Sequence, residues 1–195
     1  MISIVNGHKP SLQVCEEWRK FYSNFFGLEV DFSQVMISPK PVFGEWMLIF
    51  IPKGLNLNLA FKVYSKLFNS TNCYNNLNEH ITKNVRDTNC DYAVWVQDEV
   101  EPDREFLGKS AKQSDPDMKL GVTLLERIIL GVRYLTETGN HLDIRGMTIC
   151  SGSRDSEGFI PIIYWCKKGK VEERVEVSCI LLNGVFCVSG IRAAQ

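Results

Sequence analysis

The strongest local folding signal lies at residues 121–154, GVTLLERIILGVRYLTETGNHLDIRGMTICSGSR. Thr123 and Glu126 have the T-x-x-E spacing of a capping box, in which the threonine oxygen accepts a free backbone N–H and the glutamate reaches back to the N-cap. Gly139 is suited to the left-handed conformation that ends a helix. Between these ends, apolar residues recur at helical spacing at Leu124, Leu125, Ile128, Ile129, Val132 and Leu135. We therefore predict a helix from Thr123 to Gly139 that packs through one apolar face.

Gly131 lies inside this predicted helix, where glycine costs about 1 kcal/mol relative to alanine. Tertiary burial must offset that cost, and the missing side chain predicts a close approach of another element. After the helix, residues 147–150 have the apolar character of a short buried strand. Residues 151–155, SGSRD, are typical of a polar loop leaving that strand, and we expect this loop to be exposed at a rim of the sheet close to Asp98.

The rest of the chain predicts two more helices and several strands. Ser11 is suited to cap a helix that ends at Gly27 after an aromatic stripe, and residues 58–68 repeat apolar side chains every four positions. The asparagine-rich segment 69–89 predicts a loop with a turn of helix near residues 77–81. Strands are predicted at residues 46–51, 92–96, 147–150, 159–166, 171–182 and 185–189, with Asn183-Gly184 turning a terminal hairpin.

This order of elements predicts an α/β (α+β) fold. Three helices should pack on a mixed sheet that ends in a C-terminal antiparallel meander or hairpin. The chain has 195 residues and shows no internal repeat or linker. Since a single domain usually has about 100–200 residues, we expect one globular domain over residues 1–195.

Charge and cysteine content exclude several classes of function. The formal net charge of −1 gives no basic surface for nucleic acid, so nucleic-acid binding is not expected. Seven cysteines without a C-x-x-C pair argue against a disulfide framework and against a zinc ribbon. No signal-peptide pattern and no apolar run of about 20 residues is present, so we expect a cytoplasmic protein without membrane association.

The loop at residues 151–155 is the first candidate site. Ser151, Ser153 and Arg154 follow a strand, where backbone N–H groups and hydroxyls can face an anion and the guanidinium can bind carboxylate or phosphate bidentately. The loop matches neither a phosphate-binding P-loop nor a dinucleotide fingerprint. The alternative is an ordinary turn in which these side chains bond their own backbone and Arg154 pairs with a carboxylate.

Acidic residues after the predicted strand 92–96 are the second candidate. Asp98 and Glu101 should lie at a strand end, where ligands gather in α/β sheets. Such carboxylates could share acid and base roles or bind Mg²⁺, but acidic segments are usually solvated surface. The three histidines show no metal-ligand spacing. We therefore expect neither a bound metal nor another cofactor.

Three segments resemble a family of uncharacterised bacterial hypothetical proteins of unknown function. The segments are YAVWVQDEVEPD at 92–103, GVTLLERIILGVRYLTETGNHLD at 121–143 and TICSGSRDSEGFIPIIYW at 148–165. They are similar to that family's succession of Y-A-x-W-x-x-D-x-x-E-x-D, T-L-L-E-R, T-G-x-H-L-D and C-S-G-S-R motifs. Where the family has W-x-R-D, this chain has Gln97, which weakens any proposal that needs a cation there. The resemblance implies membership and transfers no activity.

These observations predict a binding module for a small polar or anionic ligand, or for a protein partner. The candidate ligand-binding residues are Ser151, Ser153, Arg154, Asp98 and Glu101. The alternative is a hydrolase or phosphoryl-transfer enzyme that uses Asp98 and Glu101, with Arg154 as the anion clamp. Convergence of Asp98, Glu126, His141 and Arg154 in one concave pocket would favour the enzyme, whereas pairing on separate surfaces would count against it.

Overall fold

A computed structural model describes residues 7–168, 172–180 and 189–194 of the protein. It contains the three predicted long helices, α1 (Leu12–Phe26), α2 (Leu57–Phe68) and α5 (Leu124–Thr138), and two single-turn helices, α3 (Leu77–His80) and α4 (Ala111–Ser114). The α1 and α5 ends match their predictions: Ser11 caps α1, Thr123 and Glu126 form both bonds of the capping box, and Gly27 and Gly139 adopt φ values of 65° and 72°.

The strands are short except near the C-terminus. They are β1 (Trp46–Ile51), β2 (Thr71–Asn72), β3 (Ile81–Asn84), β4 (Tyr92–Gln97), β5 (Met147–Ile149), β6 (Ser153–Asp155), β7 (Ile160–Lys168), β8 (Glu172–Ile180) and β9 (Ser189–Ile191). The segment predicted as an asparagine-rich loop contains the expected helical turn, α3, but it also contributes the strands β2 and β3.

A five-stranded mixed sheet has the order β2-β8-β7-β5-β9. Strand β7 is antiparallel to both β5 and β8, whereas β2 runs parallel to β8 and β9 runs parallel to β5. The predicted α+β class, mixed sheet and antiparallel C-terminal pair are confirmed. The predicted turn at Asn183-Gly184 lies outside the described residues.

Two antiparallel ribbons complete the strand pairing. Strand β1 pairs with β4 over six residues, from Trp46 opposite Gln97 to Ile51 opposite Tyr92. Strand β3 pairs with β6. The main hydrophobic core joins the β1–β4 ribbon to the three long helices, and its aromatic part comes from α1 through Trp18, Phe21, Tyr22 and Phe26.

Helices α2 and α5 pack closely at Gly131. A Cβ atom at this position would lie 2.9 Å from Tyr64 Cε2 in α2 and 2.8 Å from Arg127 Nη1. Real Cβ contacts are longer than this, so only glycine lets the two helices approach as they do. The predicted close approach at Gly131 is therefore confirmed, and α2 is the approaching element.

Candidate functional site

The segment predicted as an exposed polar loop, residues 151–155, is buried throughout. Its second half is strand β6, in which Ser153 lies opposite Asn84 and Asp155 lies opposite Ile81. The prediction of an exposed loop is wrong because the polar side chains form hydrogen bonds with groups inside the protein and not with solvent.

Both serines of this segment are hydrogen-bonded internally. Ser151 Oγ donates to Asp115 Oδ2 at 2.6 Å. Ser153 Oγ accepts the N–H of Leu124 at 2.9 Å and donates to Asn84 Oδ1 at 2.6 Å. Burial raises the pKa of Asp115, but the Ser151 hydroxyl and backbone N–H groups lower it below its usual value. Ser153 therefore satisfies the first N–H of α5, and Ser151 holds a buried carboxylate.

Arg154 stabilises the turn in which it lies. Its Nη1 donates to the carbonyls of Ser151 at 2.6 Å and Ser153 at 2.7 Å, and only 7% of the residue is exposed. Burial lowers the pKa of the Arg154 guanidinium, while the nearby Asp115 raises it. The donor group predicted to clamp an external anion is thus directed at backbone carbonyls.

The two acidic candidates have separate surroundings. Asp98 is exposed, and its backbone N–H donates to the carbonyl of Glu45 at 2.9 Å. The Glu101 carboxylate accepts the N–H groups of Arg145 at 3.0 Å and Gly146 at 2.7 Å. Within the described part of the chain, none of the hydrogen bonds or ion pairs of residues 151–155 involves Asp98 or Glu101. The contacts do not join the two halves of the predicted site.

A buried ion cluster lies beside α5, around Asp143. Asp143 Oδ2 accepts from Arg127 Nη2 at 2.7 Å and from Thr148 Oγ1 at 2.7 Å, and its Oδ1 accepts from Arg192 Nη2 at 3.1 Å. Burial alone would raise the pKa of Asp143, but the two guanidiniums lower it below its usual value. The cluster places two cations on one carboxylate inside the protein.

Arg192 also ties this cluster to the segment after β4. Its Nη1 donates to the carbonyl of Glu99 at 2.7 Å, and its Nη2 donates to the carbonyl of Val100 at 3.3 Å. The sequence pattern does not single out Arg192. Its only sequence signal is an arginine in an apolar C-terminal run, IRAA.

A second ion pair lies at the beginning of α5. The buried Glu126 accepts from Arg86 Nε at 2.6 Å and Arg86 Nη2 at 2.8 Å, from the Tyr92 hydroxyl at 3.0 Å, and from the Thr123 N–H at 2.7 Å. Burial lowers the pKa of the Arg86 guanidinium, but Glu126 raises it more, so the charge is retained. Arg86 stays 21% exposed at its side chain.

Arg86 lines a cleft of about 170 Å³ that the sequence did not reveal. The N-termini of two helices line the same cleft, through Asn56 and Leu57 of α2 and through Thr123 and Leu125 of α5. The rest of its wall includes Asn78, Asn84, Asp87 and Thr88. Because a helix N-terminus carries a partial positive charge, the cleft combines two such ends with one guanidinium.

The backbone N–H groups at these helix starts are nearly all satisfied. In α2, the N–H of Asn58 donates to Asn78 Oδ1 at 3.3 Å and that of Leu59 donates to its own N-cap side chain at 2.9 Å. In α5, the N–H of Leu124 donates to Ser153 Oγ, and the N–H of Glu126 donates to Thr123 Oγ1. The N–H groups of Leu57 and Leu125 make no hydrogen bond within the described residues. Each helix therefore has one free donor at the cleft.

Metal binding and membrane spanning find no support in the described ranges. Residues 7–168, 172–180 and 189–194 contain no group of three or more His, Cys, Asp or Glu side chains arranged to hold a metal ion. None of the helices in the described part of the chain has the length and apolar character that a membrane crossing requires.

Comparison of the chain with protein-family models, curated proteins and solved structures finds no match in any of the three. The resemblance to a bacterial hypothetical family therefore stays a prediction.

Proposed function

We propose that the protein is a binding module for a small anion, such as phosphate or a short carboxylate, in the cleft between α2 and α5. The observation that carries the proposal is the meeting of two helix N-termini and Arg86 in one cleft, where Leu57 and Leu125 each have an N–H without an acceptor among the described residues. Free N–H groups and aligned helix dipoles favour anions at such positions.

The hydrogen-bond donors at the cleft support an anion over a cation; the charged residues that line it are Arg86 and Asp87. Glu126 is fully buried, and four hydrogen bonds occupy its carboxylate. The exposed Asp87 accepts the N–H of Asn89 at 3.0 Å in a local turn. Arg86 keeps its Nη1 free of hydrogen bonds to the described residues. A guanidinium with spare donors binds carboxylate and phosphate oxygens well.

The size of the cleft limits the ligand. Clefts for drug-sized molecules usually measure about 300–1,000 Å³, whereas this one measures about 170 Å³. A phosphate, a sulfate, a short carboxylic acid or the anionic end of a larger molecule has the appropriate size. Ser153, one of the residues predicted to bind the ligand directly, contributes by fixing the beginning of α5. In the part of the chain that the structure describes, no contact of Asp98, Glu101 or Arg154 favours the hydrolase alternative over binding.

A matched pair of variants tests the proposal. Leu57→Pro removes the free N–H at the first position of α2, where proline fits, and the preceding Asn56 already has the extended backbone that proline requires. Leu57→Ala loses the same leucine side chain but keeps the N–H. Phosphate should raise the melting temperature of wild type and Leu57→Ala above that in chloride at equal ionic strength, and it should stabilise Leu57→Pro less.

The size of the response follows from linkage. A ligand at about 100 times its Kd stabilises a protein by about 2.7 kcal/mol. Arg86→Lys, which keeps a cation beside Glu126 but loses the planar fork, should also respond less to phosphate. Equal melting temperatures in phosphate, sulfate, acetate and chloride for the wild type would contradict the proposal, as would equal responses of the two Leu57 variants.

A further inference from the structure

A second cleft, separate from the proposed anion site, contains two thiols. It measures about 310 Å³ and lies at the edge of the five-stranded sheet, where β2 is the outermost strand. Cys73 and Cys179 both line it, together with Tyr74, His80 and Asp155. Both cysteines are free, with Cys73 exposed and Cys179 half-buried.

Strand pairing brings the two cysteines together. Asn72 at the end of β2 lies opposite Val177 of β8, and the next N–H along, that of Cys73, donates to the Val177 carbonyl at 3.1 Å. Cys73 therefore lies beside β8 at Val177, which is two positions before Cys179. A side-chain hydrogen bond between the two thiols contributes to the raised pKa of Cys73. Backbone pairing thus places Cys73 next to the part of β8 that carries Cys179.

Polar and aromatic side chains surround the thiol pair. The Tyr74 hydroxyl donates to Asp155 Oδ2 at 3.2 Å and is also within hydrogen-bonding reach of Cys179. The His80 ring lies 5.4 Å from the Tyr74 ring, centroid to centroid. Cys90, by contrast, is exposed and does not line this cleft.

We propose that Cys73 and Cys179 form a reversible intramolecular disulfide when the protein is exposed to hydrogen peroxide, so that this cleft is a site of thiol oxidation. The exposed Cys73 attacks the peroxide as its thiolate. An S–O bond forms, the O–O bond breaks, and the departing oxygen leaves as water after taking up a proton. Cys179 then attacks this sulfur and gives up its own proton. The S–S bond forms as the S–O bond breaks, and a second water leaves.

Electrons and protons balance in this reaction. Two thiols lose two electrons and two protons, and one peroxide is reduced to two waters. Burial, followed by the neighbouring Cys179, raises the pKa of Cys73 to about 11. Because the thiolate is the nucleophile, oxidation should be slow at neutral pH and should require direct exposure to the oxidant. The bond would fasten the two-residue strand β2 to β8.

Peptide mapping of the full-length protein tests the proposal. The protein is treated with hydrogen peroxide at low protein concentration, alkylated and digested without reductant. A linked Cys73–Cys179 peptide, lighter by two hydrogen atoms than the sum of its parts, is the expected major product, and dithiothreitol should remove it. Cys73→Ser and Cys179→Ser should each abolish that peptide, whereas Cys90→Ser should leave its yield unchanged.

Three outcomes would overturn the proposal. Cys73 could stop at a sulfinic acid with Cys179 still reduced, or Cys73 could link to another chain instead of to Cys179. Oxidation of Cys90 while both cleft thiols remain reduced would also count against it. Each of these results is read in the wild-type protein and does not depend on whether a variant folds. None of them bears on the anion cleft, which is tested separately.

Discussion

Asp143→Asn should destabilise the protein because it removes the buried negative charge that two guanidiniums share. Asp143 has a φ of 56°, in the left-handed region, where asparagine is as well tolerated as aspartate. The substitution therefore keeps the size and backbone of the residue, removes the negative charge and replaces one acceptor oxygen with an NH2 donor. It leaves Arg127 and Arg192, which are 1% and 0% exposed, without their shared counter-ion.

The magnitude follows from the contacts of the carboxylate. It accepts four side-chain hydrogen bonds, two from Arg127, one from Arg192 and one from Thr148. Removing one partner of a buried ion pair costs about 3–5 kcal/mol, out of a total free energy of unfolding of about 5–15 kcal/mol for a typical protein. Urea denaturation followed by circular dichroism at pH 7 should show a midpoint lower by roughly 1–3 M.

Thr148→Val is the matched control, because it keeps the charge of Asp143 and removes one hydroxyl, which donates to the same carboxylate oxygen and accepts from Arg127 Nε. That change should cost about 1–3 kcal/mol. The depressed pKa of Asp143 adds a second signature. Its contribution is fully present above the unfolded value near 3.8 and is lost as the pH falls through the lower folded value, so wild type and Asp143→Asn should converge in strong acid. If Asp143→Asn is no less stable than Thr148→Val at pH 7, the charge of Asp143 does not hold the cluster together.

Three further changes have defined expectations. Burial raises the pKa of Asp103 to about 6 from 3.8, so the free-energy cost of ionising Asp103 grows as the pH rises between these values; the urea midpoint of Asp103→Asn should lose that pH-dependent component between about pH 4 and 6, and an unchanged pH profile would contradict this. Gly131→Ala should lower the melting temperature, because crowding against Tyr64 costs about 1–3 kcal/mol and exceeds the helix-propensity gain of about 1 kcal/mol; a higher melting temperature would show that the helices can separate. Ser153→Ala leaves the buried N–H of Leu124 without an acceptor, at a cost of about 1–3 kcal/mol, and should speed hydrogen exchange in the first turn of α5; unchanged exchange there would mean that the cap is dispensable.

Helix ends could be predicted from the sequence because their determinants are local. The capping box at Thr123 and Glu126 and the left-handed Gly139 lie within a few residues of the groups that they satisfy. The strand runs YAVWV and WMLIFI could be recognised from their apolar character for the same reason. Their pairing with each other as a separate ribbon could not, because it depends on which distant segment offers the matching edge.

Short polar strands were missed for a related reason. Strand β2 consists of two polar residues, and only its pairing with β8, about a hundred positions later, makes it a strand. Strand β6 contains serine, arginine and aspartate, residue types that favour turns. In the folded protein the partner of Ser153 is an N–H 29 positions away and the partner of Ser151 is a carboxylate 36 positions away. No local sequence pattern predicts partners this far away in the chain.

The cleft at Arg86 could not be predicted from the sequence either, because its parts are distant from one another in the chain. Arg86 lies in an asparagine-rich segment that resembles an ordinary loop, and its partner Glu126 is 40 positions away. The cleft forms only when the N-termini of α2 and α5 come to the same place. The sequence identified the capping residue Thr123 correctly, but the meeting of two helix starts is a property of the tertiary structure.

The contacts of Arg192 also constrain how the chain can fold during synthesis. A growing polypeptide reaches Glu99 long before Arg192, whose guanidinium binds the Glu99 carbonyl 93 positions upstream. Until Arg192 leaves the ribosome, Asp143 has only one of its two cations, and β5 lacks its neighbour β9 along one edge. Because contacts between distant residues form late, the helices can form early while the sheet and the ion cluster close together after translation of residue 192.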